Sequence, residues 1–186
     1  MKIECNKNRR EKMAEFWDVY NAKRVKTSKI VERGKEWLKD GEYHLVVFGF
    51  VMDKNNNIFI TQRDERKDYG LKWECSGGSV IKGEDTLLGV YREVLEESGL
   101  DIDKNLFKLI GTEKDDRDHV FVDIYLAILD IIDLSKVELQ DGETVDAKIV
   151  SIEEFEKMKD EGMIAKNVQK CYDRFLKPYY EKNLKK

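Results

Sequence analysis

The chain has 186 residues, a formal net charge of −4 at pH 7 and a hydrophobic fraction of 41%. This length suits one domain with a sizeable core, and the acidic balance argues against a protein that binds nucleic acid through its phosphates. No apolar run approaches a membrane span, and the polar N-terminus lacks the apolar segment of a signal peptide. The cysteines are scattered and odd in number, which predicts reduced thiols and a cytoplasmic location: Cys5, Cys75 and Cys171.

We expect residues 1–14 to form a polar, basic arm, either loose or as a short helix, and residues 15–186 to form a single domain. The longest apolar run of β-forming residues, 43–52, predicts a strand that is buried on both faces. An asparagine-rich turn after it predicts a hairpin with residues 58–62. Alternating or apolar segments predict strands at residues 16–20, 27–32, 43–52, 58–62, 106–113, 119–129 and 145–150.

Three segments have helical patterns. A turn and a short helix are predicted between Gly78 and Leu100, and Ser151 with Glu154 forms a capping box for a second helix. An amphipathic helix is predicted over residues 165–176, and the basic tail 177–186 is expected to be frayed and solvated. Strands and helices interleave, which favours an α/β fold with a mixed sheet covered on both faces.

The helix before Gly99 carries a dense group of acidic residues. Successive helical residues turn by about 100°, so Glu93, Glu96 and Glu97 share one face. Residues predicted for the opposite, packing face are Leu87, Tyr91, Val94 and Leu95. Each pair of like charges costs roughly 0.2–0.5 kcal/mol in an isolated helix, and divalent cations held by carboxylate oxygens are the usual compensation. The neighbouring Arg92 is placed to hold a carboxylate through a bidentate pair.

Taken alone, the pattern E-x-x-E-E is typical of a solvated acidic helix face. The fixed distances to Gly78, Glu84 and Arg92 argue against that interpretation. The stretch from Gly78 to Leu100 matches, position for position, the box of the Nudix hydrolases: glycine, five residues, Glu, seven residues, then Arg-Glu-apolar-x-Glu-Glu-x-Gly-apolar. The resemblance implies an α/β/α sandwich and a magnesium-dependent enzyme, with manganese possible, that cleaves a diphosphate linkage.

The resemblance also implies roles for individual residues. It assigns Glu93, Glu96 and Glu97 as metal ligands, together with a backbone carbonyl at Gly77. The attacking water is expected to lose its proton to one of these glutamates or to Glu143. The alternative interpretation of Glu143 is a plain turn residue without a catalytic role. Further predicted site residues are Arg92 near the chemistry and Arg63, Lys67, Trp73 and Gly78 against the substrate. The alternative for Arg63 and Lys67 is a solvated position, and the alternative for Trp73 is a position in the core.

Two rival functions stay open. The segment before the box resembles the Nudix branch related to isopentenyl diphosphate isomerase, and Cys75 lies close to the position of that enzyme's cysteine. The intact box and the run Cys75-Ser76-Gly77-Gly78, which lacks the isomerase's metal-binding histidine, favour hydrolysis. The second rival is a non-catalytic Nudix module that only binds a ligand. The expected substrate is a nucleoside di- or triphosphate or another small organic diphosphate, with no nucleic acid or membrane partner, and the sequence is silent on oligomeric state.

Overall fold

Strand β3 (Glu42–Asp53) organises the computed structural model, which describes residues 14–185. Its side chains alternate between two apolar clusters: Val47 and Val51 belong to one, and Phe50 and Met52 to the other. Consecutive side chains of a strand point to opposite faces, so the two clusters lie on opposite faces of the sheet. The prediction that this strand is buried on both faces is confirmed.

The described residues form one mixed sheet of nine strands. Strand β3 pairs in parallel with β8, from His44 opposite Val120 to Asp53 opposite Leu129. Strands β6 and β4 pair antiparallel with the opposite edge of β3, and β1 pairs with its first two residues. The bounds of the other strands are β1 Phe16–Asn21, β2 Lys26–Glu32, β4 Asn57–Arg63, β5 Trp73–Glu74, β6 Ser76–Ser79, β7 Phe107–Asp115, β8 Val120–Leu129 and β9 Thr144–Ser151.

The seven predicted strands are all present, with ends shifted by one or two residues. The short strands β5 and β6 were not predicted, because two to four residues with two glycines carry no alternation to detect. They pair with β4 and β3 respectively, so that Gly77 and Gly78, predicted to lie in or before a turn, belong to a strand in the middle of the sheet.

Helices cover both faces of the sheet, as expected for an α/β/α sandwich. Helix α1 (Thr86–Ser98) packs on one face and is capped by Asp85, whose side chain accepts a hydrogen bond from the Leu88 N–H, and by Gly99 at φ 72°. The elements of the other face are α2 Ile152–Asp160, α3 Lys166–Cys171, a π-helical turn Tyr172–Leu176 and α4 Lys177–Asn183. The predicted Ser151 cap is confirmed, since its hydroxyl accepts from the Glu154 N–H at 3.1 Å.

The predicted packing face of α1 needs a correction. Val90 and Val94 form its centre, with Leu87 and Tyr91 at the edge, whereas Leu95 lies outside the cluster. Gly49 of β3 allows close packing at this centre, because a Cβ atom there would lie 2.7 Å from a methyl carbon of Val90 and 3.1 Å from one of Val94.

The prediction of a frayed tail after residue 176 is wrong. Helix α4 continues the chain, and Tyr179, Tyr180 and Leu184 pack against the apolar cluster of the second face. Pro178 is tolerated because it lies in the first turn of α4. The arm predicted for residues 1–14 lies outside the described residues except for Ala14. Among the helices of residues 14–185, none combines the length and apolar character needed to cross a bilayer.

Candidate active site

A polar cavity of about 290 Å³ opens beside β3, β6 and the acidic face of α1. Nine of the ten predicted site residues line it, the exception being Trp73. Among residues 14–185, its charged lining consists of the carboxylates Glu15, Glu74, Glu93, Glu96, Glu97 and Glu143 and the cations Arg33, Arg63, Lys67 and Arg92. Residues that are far apart in the chain thus meet in one space.

Arg92 connects the end of β6 and the loop before α1 to the acidic helix face. Its guanidinium forms a two-point ion pair with Glu84, with Nε 2.9 Å from Oε1 and Nη2 3.2 Å from Oε2. The same group donates to the Ser79 carbonyl at 2.9 Å and, through Nη1, to Glu93 at 2.8 Å and Glu96 at 3.1 Å. The expected bidentate pair therefore exists, and its partner is Glu84 rather than one of the three clustered glutamates.

The two glycines of β6, Gly77 and Gly78, are required by the space around them. A Cβ atom on Gly78 would lie 2.5 Å from Oε1 of Glu93, and one on Gly77 would lie 2.6 Å from the carbonyl oxygen of Val47. The N–H of Gly77 also donates to Oε2 of Glu97, at 3.3 Å. Only residues without side chains let the backbone approach both glutamates this closely.

Glu97 is the most buried carboxylate of the predicted set, with 7% of its surface exposed. Its donors are the Gly77 N–H and the Ser76 side chain. Within residues 14–185, no lysine or arginine forms an ion pair with it. Burial, reinforced by the neighbouring carboxylates of Glu74 and Glu93, raises the pKa of Glu97 well above its ordinary value. The negative charge of an ionised Glu97 is therefore poorly compensated in this cavity.

Glu74 is a cavity residue that the sequence analysis missed. It is 4% exposed and pairs with Arg63, and burial raises its pKa to about 6 against the opposing effect of that arginine. Glu74 lies between Trp73 and Cys75, both buried in the core. A strand places it on the face opposite those neighbours, so this alternation was the signal that could have identified it.

The other predicted polar residues are already engaged in ion pairs. Lys67 pairs with Glu143 across 76 residues of sequence. Arg63 pairs with Glu74 and donates through Nε to the Asp68 carbonyl at 2.6 Å. Both cations lie on the cavity wall, rather than in solvent, which fits their predicted contact with substrate phosphates.

Arg33 and Glu15 also line the cavity, although no sequence pattern marked them. Their side chains form an ion pair at 2.7 Å, and the Arg33 N–H donates to the Glu15 carbonyl at 2.9 Å. They lie at the open end of the β1–β2 hairpin, far from the box in sequence. The pairing of β1 with the start of β3 and the Lys82 N–H, which donates to the Phe16 carbonyl at 2.7 Å, bring them to the site.

Trp73 and Cys75 belong to the core. Trp73 is 6% exposed and packs in the cluster of the second face, so the predicted contact with substrate is corrected to its core alternative. Cys75 is 2% exposed in the same cluster, and burial raises the pKa of its thiol well above the ordinary value. Of the two histidines, His44 is buried and stacks on Trp17 at 4.0 Å, and His119 contacts the Glu42 carbonyl through Nδ1 at 3.1 Å.

The donor chemistry of the cavity fits a divalent cation, although the ligand set is not pre-assembled. In the described part of the chain, no three acidic, histidine or cysteine side chains converge as a metal-binding group, because Arg92 holds Glu93 and Glu96 towards itself. Six carboxylates nevertheless face four cations, which leaves two excess negative charges when all are ionised. Hard divalent cations bind such oxygen donors.

Comparison with known proteins agrees with this geometry. The family model described as "NUDIX domain" matches residues 42–171. An uncharacterized Nudix hydrolase of Listeria monocytogenes is 34% identical over 152 residues, which cover 80% of this chain and 86% of the relative. An 8-oxo-dGTP diphosphatase of Proteus vulgaris is 32% identical over 82 residues, covering 44% of this chain and 72% of that protein.

Solved structures agree on the fold. The crystal structure of a Deinococcus radiodurans protein superposes with a TM-score of 0.65 at 18% identity, covering 85% of this chain and 99% of the other. At this identity the likeness concerns the mixed α/β architecture alone.

Proposed function

This chain belongs to the Nudix hydrolase family, and from that membership we propose that it hydrolyses the diphosphate linkage of a nucleoside di- or triphosphate, or of a similar small organic diphosphate, with bound divalent metal ions. Nudix hydrolases generally use such ions. The observation that carries the proposal is the position of Glu97, buried beside Glu74 and Glu93 with no basic ion-pair partner in the described residues. An uncompensated buried carboxylate needs a proton or a cation.

The charge of the cavity supports metal dependence. A diphosphate brings at least two negative charges to a space whose described residues have two in excess when all of them are ionised. The four cations of the lining are each paired with a carboxylate, so they offset only part of the repulsion. Bound magnesium or manganese would neutralise the phosphate oxygens and lower the pKa of the attacking water.

We assign the ligand positions to Glu93, Glu96 and Glu97, with the Gly77 carbonyl adjacent to them. Arg92 positions this set, because it connects Glu84 and Ser79 to the acidic helix face. Releasing Glu93 and Glu96 from the guanidinium would leave its two-point pair with Glu84 intact. The box arginine is thus a positioning residue in this proposal.

The remaining polar residues would bind the substrate and accept the proton of the attacking water. Arg63, Lys67 and Arg33 lie on the cavity wall within the same space as the glutamates, where they would contact the phosphates. Glu143 is our candidate for the group that takes the proton of the attacking water. Its position depends on the Asp64 N–H, which donates to the Glu143 carbonyl at 2.9 Å, and on Lys67.

The isomerase alternative needs a cysteine that reaches the substrate. The Cys75 side chain is buried in the core and does not line the cavity, which argues against isomerase chemistry. The resemblance of the preceding segment to the isomerase branch and the cytoplasmic location stay predictions.

The test is turnover of a panel of nucleoside di- and triphosphates and isopentenyl diphosphate, with magnesium, with manganese and with a chelator. We expect metal-dependent release of phosphate or diphosphate, and Glu97→Gln should lower turnover about a hundredfold or more while the fold persists. Glu153→Gln, an exposed position on α2, is the matched control and should be unchanged.

Full turnover in the chelator, or in Glu97→Gln, would contradict the proposal. Tight nucleotide binding without turnover, surviving Glu97→Gln, would instead identify a binding module.

A further inference from the structure

The hairpin formed by β1 and β2, residues 16–32, lies outside residues 42–171, which the family model matches. It nevertheless contacts the box directly, because the Gly83 N–H donates to Oδ2 of Asp18 at 2.8 Å. Gly83 belongs to the loop between β6 and α1, within the stretch whose spacing defines the box. A side chain from outside the matched domain therefore holds part of the box.

Asp18 is a buried carboxylate, with 7% of its surface exposed. Besides the Gly83 N–H, the same oxygen accepts from Nζ of Lys26 on the neighbouring strand β2, at 2.6 Å. Burial opposes ionisation, but the hydrogen bonds from Lys26 and from the Gly83 N–H lower the pKa of Asp18 below its ordinary value. The side chain is thus an anion at neutral pH, and hydrogen bonds to ionised acceptors are roughly twice as strong as neutral ones.

The contact continues from Asp18 to the acidic helix face. The residue that follows the bound N–H is Glu84, whose carboxylate forms the two-point pair with Arg92. Asp18 and Glu84 also line the same narrow gap between the hairpin and the loop. Arg92 in turn donates to Glu93 and Glu96. An uninterrupted series of contacts therefore joins the hairpin to two of the clustered glutamates.

The hairpin has separate anchors on the sheet. At its turn, Arg24 forms a two-point ion pair with the buried Asp123 of β8, with N–O distances of 2.8 and 2.5 Å. On β1, Trp17 stacks on His44 of β3 with ring centroids 4.0 Å apart. These contacts hold the hairpin in place without the loop, so Asp18 is attached to a rigid element. A rigid support is what a group needs in order to fix the geometry of a neighbouring site.

Resting on the proposed function, we infer that Asp18 is a positioning residue of the active site: it fixes the loop that carries Glu84 and, through Arg92, the glutamates that we assign as metal ligands. Partners that orient metal ligands typically account for about 10–100-fold in metal affinity or activity. A carboxylate that only secured the hairpin would affect stability and leave metal affinity unchanged.

Manganese binding, measured by calorimetry, tests this inference without requiring turnover. Asp18→Ala removes the acceptor of the Gly83 N–H, so we expect it to weaken Mn²⁺ binding about tenfold. At saturating metal it should lower kcat about tenfold with little change in the KM for the substrate. Asp18→Asn retains an oxygen that accepts from the same N–H, so its metal affinity and kcat should stay within about threefold of the wild-type values.

Thr27→Val is the matched control on the same hairpin. The Thr27 hydroxyl donates to the Val19 carbonyl at 2.9 Å, a contact between β2 and β1 in which no box residue takes part. Both Thr27→Val and Asp18→Ala should lower the midpoint of urea denaturation, because each removes a hydrogen bond. Only Asp18→Ala should weaken metal binding. Equal metal affinities in these two variants would overturn the inference.

A double-mutant cycle tests the route through Glu84. If Asp18 acts by fixing the loop, Asp18→Ala combined with Glu84→Gln should lower kcat little more than Glu84→Gln alone, because the second change finds the loop already released. Additive losses would show that Asp18 does not act through Glu84 and would overturn the inference. A wild-type protein that hydrolyses no compound of the panel would refute the proposed function, whereas the Mn²⁺ affinities of the variants would still decide the role of Asp18.

Discussion

Arg92 and Glu84 form a two-point ion pair with N–O distances of 2.9 and 3.2 Å, and this pair joins the loop before α1 to the acidic face of the helix. Both side chains are largely buried, at 20% and 10% exposure. Glu84 also accepts from the Ile81 N–H at 3.2 Å. The geometry of the glutamate cluster therefore depends on a residue eight positions before the arginine.

Replacing Glu84 tests this dependence. Glu84→Gln removes the charge from the pair, so we expect a loss of about 1.5–3 kcal/mol in the free energy of unfolding and a decrease in kcat of about tenfold or more, because the guanidinium that positions the acidic helix face loses its anchor. Urea denaturation and steady-state kinetics measure the two effects. Glu161→Gln removes the exposed Lys157–Glu161 pair at 3.9 Å and should cost less than about 0.5 kcal/mol. Equal effects of the two changes would contradict this role.

A methyl group at Gly78 should impair the site. The added Cβ would lie 2.5 Å from Oε1 of Glu93, so the carboxylate must move. We expect Gly78→Ala to lower kcat about a hundredfold, since a displacement of about 1 Å can have that effect. Gly34→Ala is the control, because nothing lies within 4 Å of its Cβ position. Its positive φ of 80° should reduce stability by about 1 kcal/mol without changing kcat. Normal turnover in Gly78→Ala would show that Glu93 moves at no cost to catalysis.

Stability should decrease in acid because of His44. Burial against Trp17, with a smaller effect from Arg33, lowers the pKa of His44 from 6.5 to about 4. Between these values the unfolded chain binds a proton that the folded protein does not, so the free energy of unfolding falls as the pH drops from about 6.5 to 4. The shift corresponds to roughly 3 kcal/mol for this one group.

His44→Phe keeps the stacking on Trp17 and removes the titration. The difference between the wild-type and variant unfolding free energies, measured by urea denaturation from pH 4 to pH 8, should therefore vary with pH only between about 4 and 6.5. A difference that is constant over this range would contradict the assignment.

Buried thiols should resist modification. Cys75 and Cys171 are 2% and 5% exposed, and burial raises the pKa of both. In a Cys5→Ser background, we expect an aromatic disulfide reagent to label the native protein orders of magnitude more slowly than the guanidinium-unfolded chain, because labelling requires opening of the core.

Cys75→Ala should leave hydrolysis intact and cost about 1–2 kcal/mol of stability through lost packing. If Cys75→Ala lowered the hydrolysis rate by more than it lowered the fraction of folded protein, Cys75 would have a catalytic role.

The sequence by itself determined the strands, the box helix and the cluster of glutamates. These features depend on local periodicity and on spacings of a few residues. The sequence spacing from Gly78 to Glu84 and Arg92 produces the observed contacts because one loop and one helix contain it. The capping box at Ser151 was predictable for the same reason. Such information is local, so no tertiary contact was needed to obtain it.

Only the tertiary structure decided which charges meet the glutamates and which residues face inward. Glu74, Arg33 and Glu15 reach the cavity through strand pairing, and Cys75 is turned into the core on the opposite side of its strand from Glu74. The tail became a helix because Tyr179 and Tyr180 find an apolar surface built from distant residues. These outcomes depend on side-chain packing between segments far apart in the chain, where burial and charge compensation outweigh the local pattern.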